Sequence, residues 1–457
     1  MTDTVYDMVV LGAGSGGYAA ALRGAQLGLR VALIEADKVG GTCLHRGCVP
    51  TKALLHAAET VDAVRGARAL GVDAELRGVD MAALNAYKDS IVTRMHKGLQ
   101  GLVASRGIDL IAGRGRLAGA GAVEVDGRAV RGRNIVLATG SYSKTLGQRI
   151  DERVLTSEGA LRLERVPASA VVLGGGVIGV EFASAWASLG ARVTIVEALP
   201  RLVPGEDEAV SKQLERAFRK RRIAVRTNTM FESVERHDGG VTVHTQDGRT
   251  HDAEVMLIAV GRGPVTADLG YEQAGVAMDR GFVTTDGFGR TSVPGVWAVG
   301  DIVPGVQLAH RGFAQGIVVA EKIAGLDPAP VDDALVPRVT FCEPEIASVG
   351  LTEARARQVH GADAVTTAEF NVAGNAKSQI LGTQGFVKLV SLKDGPIVGF
   401  HAIGARMGEQ VGEGQLIVNW EADADDVAAL VHAHPTQNET LGEAAMALAG
   451  KPLHNHG

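Results

Sequence analysis

Cysteine, aromatic side chains, basic runs and long apolar stretches are all scarce in this chain. Three cysteines among 457 residues are too few for a disulfide framework. The N-terminal MTDTVYD carries acids where an export signal needs basic residues. Both features point to a reducing, cytoplasmic setting. The formal net charge is −6 and no basic cluster stands out, which argues against nucleic acid as a partner. The most apolar stretch, AVVLGGGVIGVEFASAWASLG, contains Glu181 and several glycines and does not read as a membrane span. Aromatics make up only 4% of the chain, whereas glycine is abundant at 60 residues, as suits a protein built on glycine turns. The length suggests about three domains.

The glycines fall into a pattern. Residues 6–11 form an apolar strand, Gly12, Gly14 and Gly17 make G-x-G-x-x-G, and a small-residue helix leads to a second strand ending at Glu35. The first glycine allows the turn, the second lets backbone approach a pyrophosphate, and the third lets helix pack on strand. The helix N-terminus faces the phosphates, and the terminal acid accepts from ribose hydroxyls. The same unit returns with Gly174, Gly176, Gly179 and Glu197, and the acid again follows the middle glycine by 21 residues. Two dinucleotide sites in one chain suggest FAD beside an exchanged nicotinamide. A carboxylate at Glu197 repels a 2′-phosphate and favours NAD over NADP. Arg201 reads as a solvated loop residue.

Two of the three cysteines lie in GGTCLHRGCVPTK, residues 40–52, as Cys43 and Cys48. On an ideal helix their Cα atoms would be about 8.6 Å apart, beyond the roughly 7 Å a disulfide tolerates. They can bridge only across an irregular turn, which Gly47 permits. A zinc site would want two more ligands nearby, and Cys342 is far off in the sequence. A redox disulfide and two inert thiols both remain open on the residues alone.

With GAGSGGYAA, GGTCLHRGCVPTK, NIVLATGS, LGGGVIGVEFA, AVGRGP, VWAVGDI and HAHPTQNE in this order, the chain resembles the pyridine nucleotide-disulfide oxidoreductases over essentially its full length. GGYAAALRGAQLG and HAHPTQNETLGEAAMALAG carry a narrower likeness to the members that oxidise dihydrolipoyl groups. The resemblance implies an α/β fold with two Rossmann-like domains, the NAD domain inserted into the FAD domain, and a C-terminal α+β dimerisation domain. Its boundaries would be 1–145 for the FAD domain, 146–265 for the NAD domain, 266–335 for a central FAD-contacting domain and 336–457 for the interface domain. FVKLVSL and IVGFHAIG have the β-branched content of sheet strands, and helical patterns follow from about residue 408.

The resemblance also implies roles. Cys43 is expected to be the interchange thiol, with Cys48 deeper against the flavin. His434 is expected to be the base, oriented by Glu439 and supplied across a homodimer interface. Lys52 is expected near the flavin, paired with Glu181. Asp301 and Gly140 are expected to contact FAD with Gly12, Gly14, Gly17 and Glu35. Gly174, Gly176, Gly179, Glu181, Glu197 and Gly261 are expected to serve NAD. No metal is expected; His432 reads as a packing residue, His454 and His456 as a solvated tail, and Cys342 as a small buried side chain. The chain opens directly into the first fingerprint, so the dihydrolipoyl group is expected on a partner, an acyltransferase subunit of a 2-oxo acid dehydrogenase complex. Reduction of another small disulfide, or a mainly structural place in such a complex, is the competing reading.

Three positions depart from the family pattern. His45 and Arg46 stand between the cysteines where Asn and a small apolar residue are usual. Arg46 could favour a thiolate or contact an FAD phosphate. Val265 follows AVGRGP where Asn is common.

Overall fold

The computed structural model describes residues 5–455. They fall into two compact units. One comprises the first segment up to Leu54 with Ala82–Lys144 and Gly261–Asp333; the other comprises Leu55–Met81, Thr145–Val260 and the chain from Ala334 onward.

The first unit is built on a parallel sheet. Val5–Leu11 pairs in parallel with Val31–Glu35 on one side and Arg128–Leu137 on the other. Asp109–Ala112 and Val296–Ala298 extend the parallel part. Ala122–Val125 and Gly115–Leu117 add an antiparallel edge. Alternate residues of the same strand feed two cores. Val9, Leu11, Ile34 and Ile135 enter one, and Met8, Val10, Leu33 and Val136 the other. A strand buried on both faces must be apolar throughout, which is why VVL and VALI carry no polar alternation. The helix Ser15–Gln26 buries Gly17, Ala20, Ala21 and Gly24, small residues at helical spacing that let it lie close to the sheet.

In the second unit, Ala224–Arg226, Arg192–Val196, Ser169–Leu173, Val255–Ile258 and Val154–Leu155 form a second all-parallel sheet in that order. A three-stranded antiparallel sheet, Phe231–His237, Gly240–Thr245 and Thr250–Ala253, accompanies it. The C-terminal part is a five-stranded antiparallel sheet of Arg338–Thr340, Glu345–Gly350, Ile397–Gly404, Phe386–Leu392 and Val365–Asn371. Its core takes in residues of the helices Met407–Asn419 and Glu439–Leu448, among them Ile417, Leu441 and Ala444. FVKLVSL and IVGFHAIG are strands over the ranges read from sequence.

A buried ion-pair cluster is among the polar contacts that tie the parallel sheet's side of this unit to the C-terminal sheet. Asp207 caps the helix Glu208–Lys220 through the Ala209 N–H at 3.1 Å. The same carboxylate meets Lys388, whose Nζ lies 2.9 Å from Asp207 Oδ1 and 2.6 Å from Glu353 Oε2. Asp207 is 2% exposed. Burial pushes the Asp207 carboxyl up, but the Lys388 ammonium and the neighbouring His401 and Glu353 N–H hold it below the usual range. The Lys388 hydrogen bond likewise holds Glu353 down.

Replacing Lys388 by Met strands two carboxylates, one of them deeply buried. Breaking a buried ion pair from one side costs about 3–5 kcal/mol. In a chain of this size that is a fall of several degrees in thermal midpoint at neutral pH. The wild-type contribution is complete above the ordinary carboxylate pKa of about 4 and is lost as pH falls through the depressed folded values. The deficit of Lys388→Met should therefore shrink on acidification, which thermal melts at neutral and acid pH will check.

Candidate active site

Both glycine fingerprints sit where an apolar strand hands over to a helix. Gly12 has φ +100° and Gly174 φ +103°, conformations that only glycine adopts without strain. A Cβ on Gly17 would overlap the Gly12 carbonyl oxygen, and one on Gly179 would overlap that of Gly174. The outer glycines are thus demanded by the protein's own packing. The middle glycines are not: a Cβ on Gly14 or Gly176 would meet no atom within 4 Å. The space in front of each middle glycine is a cradle that a pyrophosphate fits, bordered by a helix N-terminus.

The terminal acids close each loop. Glu35 accepts from the Ala13 N–H at 2.6 Å and the Asp37 N–H at 2.9 Å. Glu197 accepts from the Gly175 N–H at 2.5 Å and the Leu199 N–H at 2.7 Å. The sequence suggests these acids as ribose acceptors; that they brace the loops is visible only in the fold. Arg201 donates to the Pro204 carbonyl at 2.8 Å, the behaviour of a loop arginine.

The cysteines straddle a helix break. Cys43 lies in the short helix Gly41–Arg46, and Cys48 opens the long helix Cys48–Gly66. Between them Gly47 adopts φ −133° and ψ −114°, and a Cβ there would press on Thr42 O at 2.9 Å. This irregular turn brings the sulfurs together, with the Cys43 thiol hydrogen-bonded to Cys48. That bond and burial push the Cys43 pKa far up, while Lys52 nearby acts to lower it. Cys43 is half-buried and Cys48 exposed. Cys48 stands at the start of a new helix, whereas Cys43 lies within the short one, beside half-buried Tyr18. Burial, and then Cys43, raise the Tyr18 pKa to about 12.

Arg46 pairs with Asp37 at 2.8 Å. Asp301 lies in the turn Gly300–Ile302 and accepts from Ser141 Oγ at 2.5 Å. Arg262 donates to that same Ser141 Oγ at 2.7 Å. Gly140 and Gly261 have φ +77° and +100°. Val265 serves the ATG turn through its backbone: its N–H donates to Gly140 O at 2.9 Å and its carbonyl accepts from Thr139 Oγ1 at 2.6 Å. Any residue but proline supplies those two bonds, so the turn tolerates Val265.

Near the C-terminus, His434 Nδ1 lies 2.7 Å from Glu439 Oε1, and the Thr436 N–H donates to Glu439 Oε2 at 2.8 Å. Burial pushes the Glu439 carboxyl up, but the Thr436 N–H and His434 outweigh it and hold the pKa below the usual range. His434 is 71% exposed, so its Nε2 edge is open to a reactant. His432 sits on Glu413 at 2.7 Å, and that bond raises its pKa. Glu181 is 2% exposed and accepts from the Phe341 N–H at 2.9 Å. Cys342 is buried, as read. His454 is not a loose tail residue, for it is hydrogen-bonded to Glu443 at 2.6 Å; His456 lies outside the described residues. Among the described residues no group of three or more His, Cys, Asp or Glu could hold a metal, and no helix is long and apolar enough to cross a membrane.

These features converge on one family. Residues 6–316 match the pyridine nucleotide-disulphide oxidoreductase family, and residues 336–445 match its dimerisation domain. The chain belongs to this family. Membership implies FAD, which fits the cradle at Gly14, and the dimerisation domain supports a homodimer. Among curated relatives, the dihydrolipoyl dehydrogenase of Bacillus subtilis is 39% identical over 98% of this chain and 97% of its own. That of Thermus scotoductus is 38% identical over 98% of both chains. Among solved structures, LpdA from Mycobacterium tuberculosis superposes with a TM-score of 0.90 at 28% identity, covering 96% of this chain and 99% of its own. The HOCl-induced flavoprotein disulfide reductase RclA from Escherichia coli, in its Cu(II) complex, gives 0.87 at 27%, covering 97% and 100%.

The two kinds of glycine should fail differently. Gly17→Ala forces backbone apart and should cost about 1–3 kcal/mol, lowering the thermal midpoint of the apoprotein. Gly14→Ala should leave the apoprotein's melting unchanged yet abolish flavin retention on purification, read from the visible absorbance.

Proposed function

We propose that this protein oxidises dihydrolipoyl groups and passes the electrons through the Cys43–Cys48 pair and FAD to NAD. The observation that carries the reading is the thiol pair itself, two sulfurs in contact across the Gly47 break, in a chain 39% identical over its length to a dihydrolipoyl dehydrogenase.

Cys43 is the interchange thiol, which a substrate thiolate attacks to form a mixed disulfide. Cys48 is then the leaving thiolate. The contact between the two thiols across the Gly47 break supports the pairing. Lys52, close enough to act on Cys43, supplies the cation that steadies negative charge beside the sulfurs. FAD, when bound, takes two electrons from the dithiol and releases them as hydride to NAD. Gly12, Gly14, Gly17, Glu35, Gly140 and Asp301 hold FAD. Gly174, Gly176, Gly179, Glu181, Glu197 and Gly261 serve NAD, and the buried Glu197 carboxylate disfavours a 2′-phosphate.

His434 is the base that takes the substrate thiol's proton on Nε2, with Glu439 fixing the ring through Nδ1. It acts across the homodimer interface. Exposed apolar side chains of the C-terminal part, Trp420 at 75% and Val431 at 99%, supply surface for that interface. The domain boundaries fall near residues 145, 265 and 335. The setting is the cytoplasm, and the dihydrolipoyl group is carried by an acyltransferase subunit of a 2-oxo acid dehydrogenase complex.

Purified protein with dihydrolipoamide and NAD should form NADH rapidly, and little NADPH with NADP. Cys43→Ser should abolish turnover, and His434→Gln should lower it by about 10²–10⁴-fold. Absence of NADH formation, with rapid NADPH-dependent reduction of another disulfide, would overturn the substrate and the nucleotide, and would favour the likeness to RclA.

A further inference from the structure

The departure CLHRGC has a partner elsewhere in the chain. His45 Nε2 lies 2.9 Å from the Val39 carbonyl oxygen, and His96 Nδ1, from the helix Met81–Ser105, lies 3.0 Å from the same oxygen. A carbonyl only accepts, so both nitrogens carry hydrogen. The two rings meet edge to face with centroids 4.8 Å apart.

Val39 is the last residue before the glycine pair that launches the cysteine helix. Gly40 and Gly41 have φ +109° and +59°. The Gly40 N–H donates to Ala13 O at 2.8 Å, which joins this turn to the first fingerprint loop. Both lone pairs of the Val39 carbonyl are thus used to fix the point from which Cys43 is aimed.

We propose that His96 is a positioning residue for the redox pair, acting through the Val39 carbonyl and the His45 ring, and that protonation of the two imidazoles sets an acid limit on thiol exchange at Cys43. The proposal rests on the redox reading of Cys43 and Cys48. Each ring keeps its donor hydrogen when it gains a proton, so a single protonation leaves the clamp in place. Two imidazolium rings in contact repel each other, and the clamp opens. The groups that act on His45 are Lys38, Asp37 and His96; Arg46 is adjacent and ion-paired to Asp37. Burial first, and His96 and Lys38 after it, lower the His45 pKa. The neutral ring therefore persists to lower pH in the fold than in the unfolded chain. The stabilisation is complete above the ordinary imidazole value of about 6.5 and is eroded as pH falls below it.

The test is the alkylation rate of Cys43 in the reduced holoprotein, with iodoacetamide from pH 5 to 9, quantified by peptide mass spectrometry. Wild type should show an inflection below about 6.5 in addition to the thiol's own titration. His96→Ala should abolish that inflection, since no second imidazolium remains to repel His45, and should also change the rate at pH 8. His96→Asn retains a donor for Val39 without the charge. It should abolish the inflection equally while keeping the wild-type rate at pH 8. His45→Asn should remove the inflection. An inflection absent from wild type, or retained in both His96 variants, would overturn the proposal. The expected loss of the inflection without NADH formation would leave it standing and fault the substrate assignment instead.

Discussion

The close approach of Gly17 to the carbonyl oxygen of Gly12, earlier in the same loop, is what the first fingerprint and the cysteine helix depend on. No side chain fits between them. Because the helix starts that close to the strand end, its first N–H groups converge on the loop, and Glu35 draws the Ala13 N–H into the same cluster. Gly40 then hangs on Ala13 O, and a Cβ on Gly41 would come within 2.7 Å of Gly14 Cα. The cysteine helix is therefore aimed from the dinucleotide loop itself. Binding and redox chemistry share one backbone scaffold, so a change at the loop is felt at the sulfurs.

The second fingerprint repeats the construction almost atom for atom, with Gly179 on Gly174 and Glu197 on the Gly175 N–H. The C-terminal part is built differently. There, polar side chains pair at long range: Lys388 with Asp207 and Glu353, and His432 with Glu413. Backbone donors suit a ligand that arrives and leaves, because they need no partner charge. Buried ion pairs suit a joint that must keep one register, because breaking one side leaves an uncompensated charge.

This contrast explains what could be read from sequence. The fingerprints, the strands at 386–392 and 397–404, and the His434–Glu439 pair are local, set by spacings of a few residues. The fingerprints and strands were legible because strand and helix periods and turn glycines write themselves into adjacent positions, whereas the His434–Glu439 pair was implied by the family resemblance. The partners of Arg46, Asp301, His45 and His454 were not. Arg46 had two plausible anions, and the fold gave it a third, Asp37, nine residues back. Asp301 was placed on the flavin, but its protein partner Ser141 lies 160 residues away. His96 carried no pattern of its own and became meaningful only when the fold laid it on Val39. Such pairings depend on tertiary approach, which no window of sequence contains.

Fold alone does not select the substrate. LpdA and RclA superpose on this chain equally closely in practice, at 28% and 27% identity, because what they share is backbone geometry held by glycines and apolar strands. Discrimination must lie in the few side chains that surround the thiols. In this chain those residues depart from the family pattern, yet each departure is absorbed by a neighbour. Arg46 is neutralised by Asp37, and His45 is held by the carbonyl it shares with His96. A cation and an imidazole have thus been inserted between two redox cysteines without leaving either uncompensated. The dithiol chemistry is kept, and what changes is its local electrostatic setting, the property on which thiol exchange rates depend.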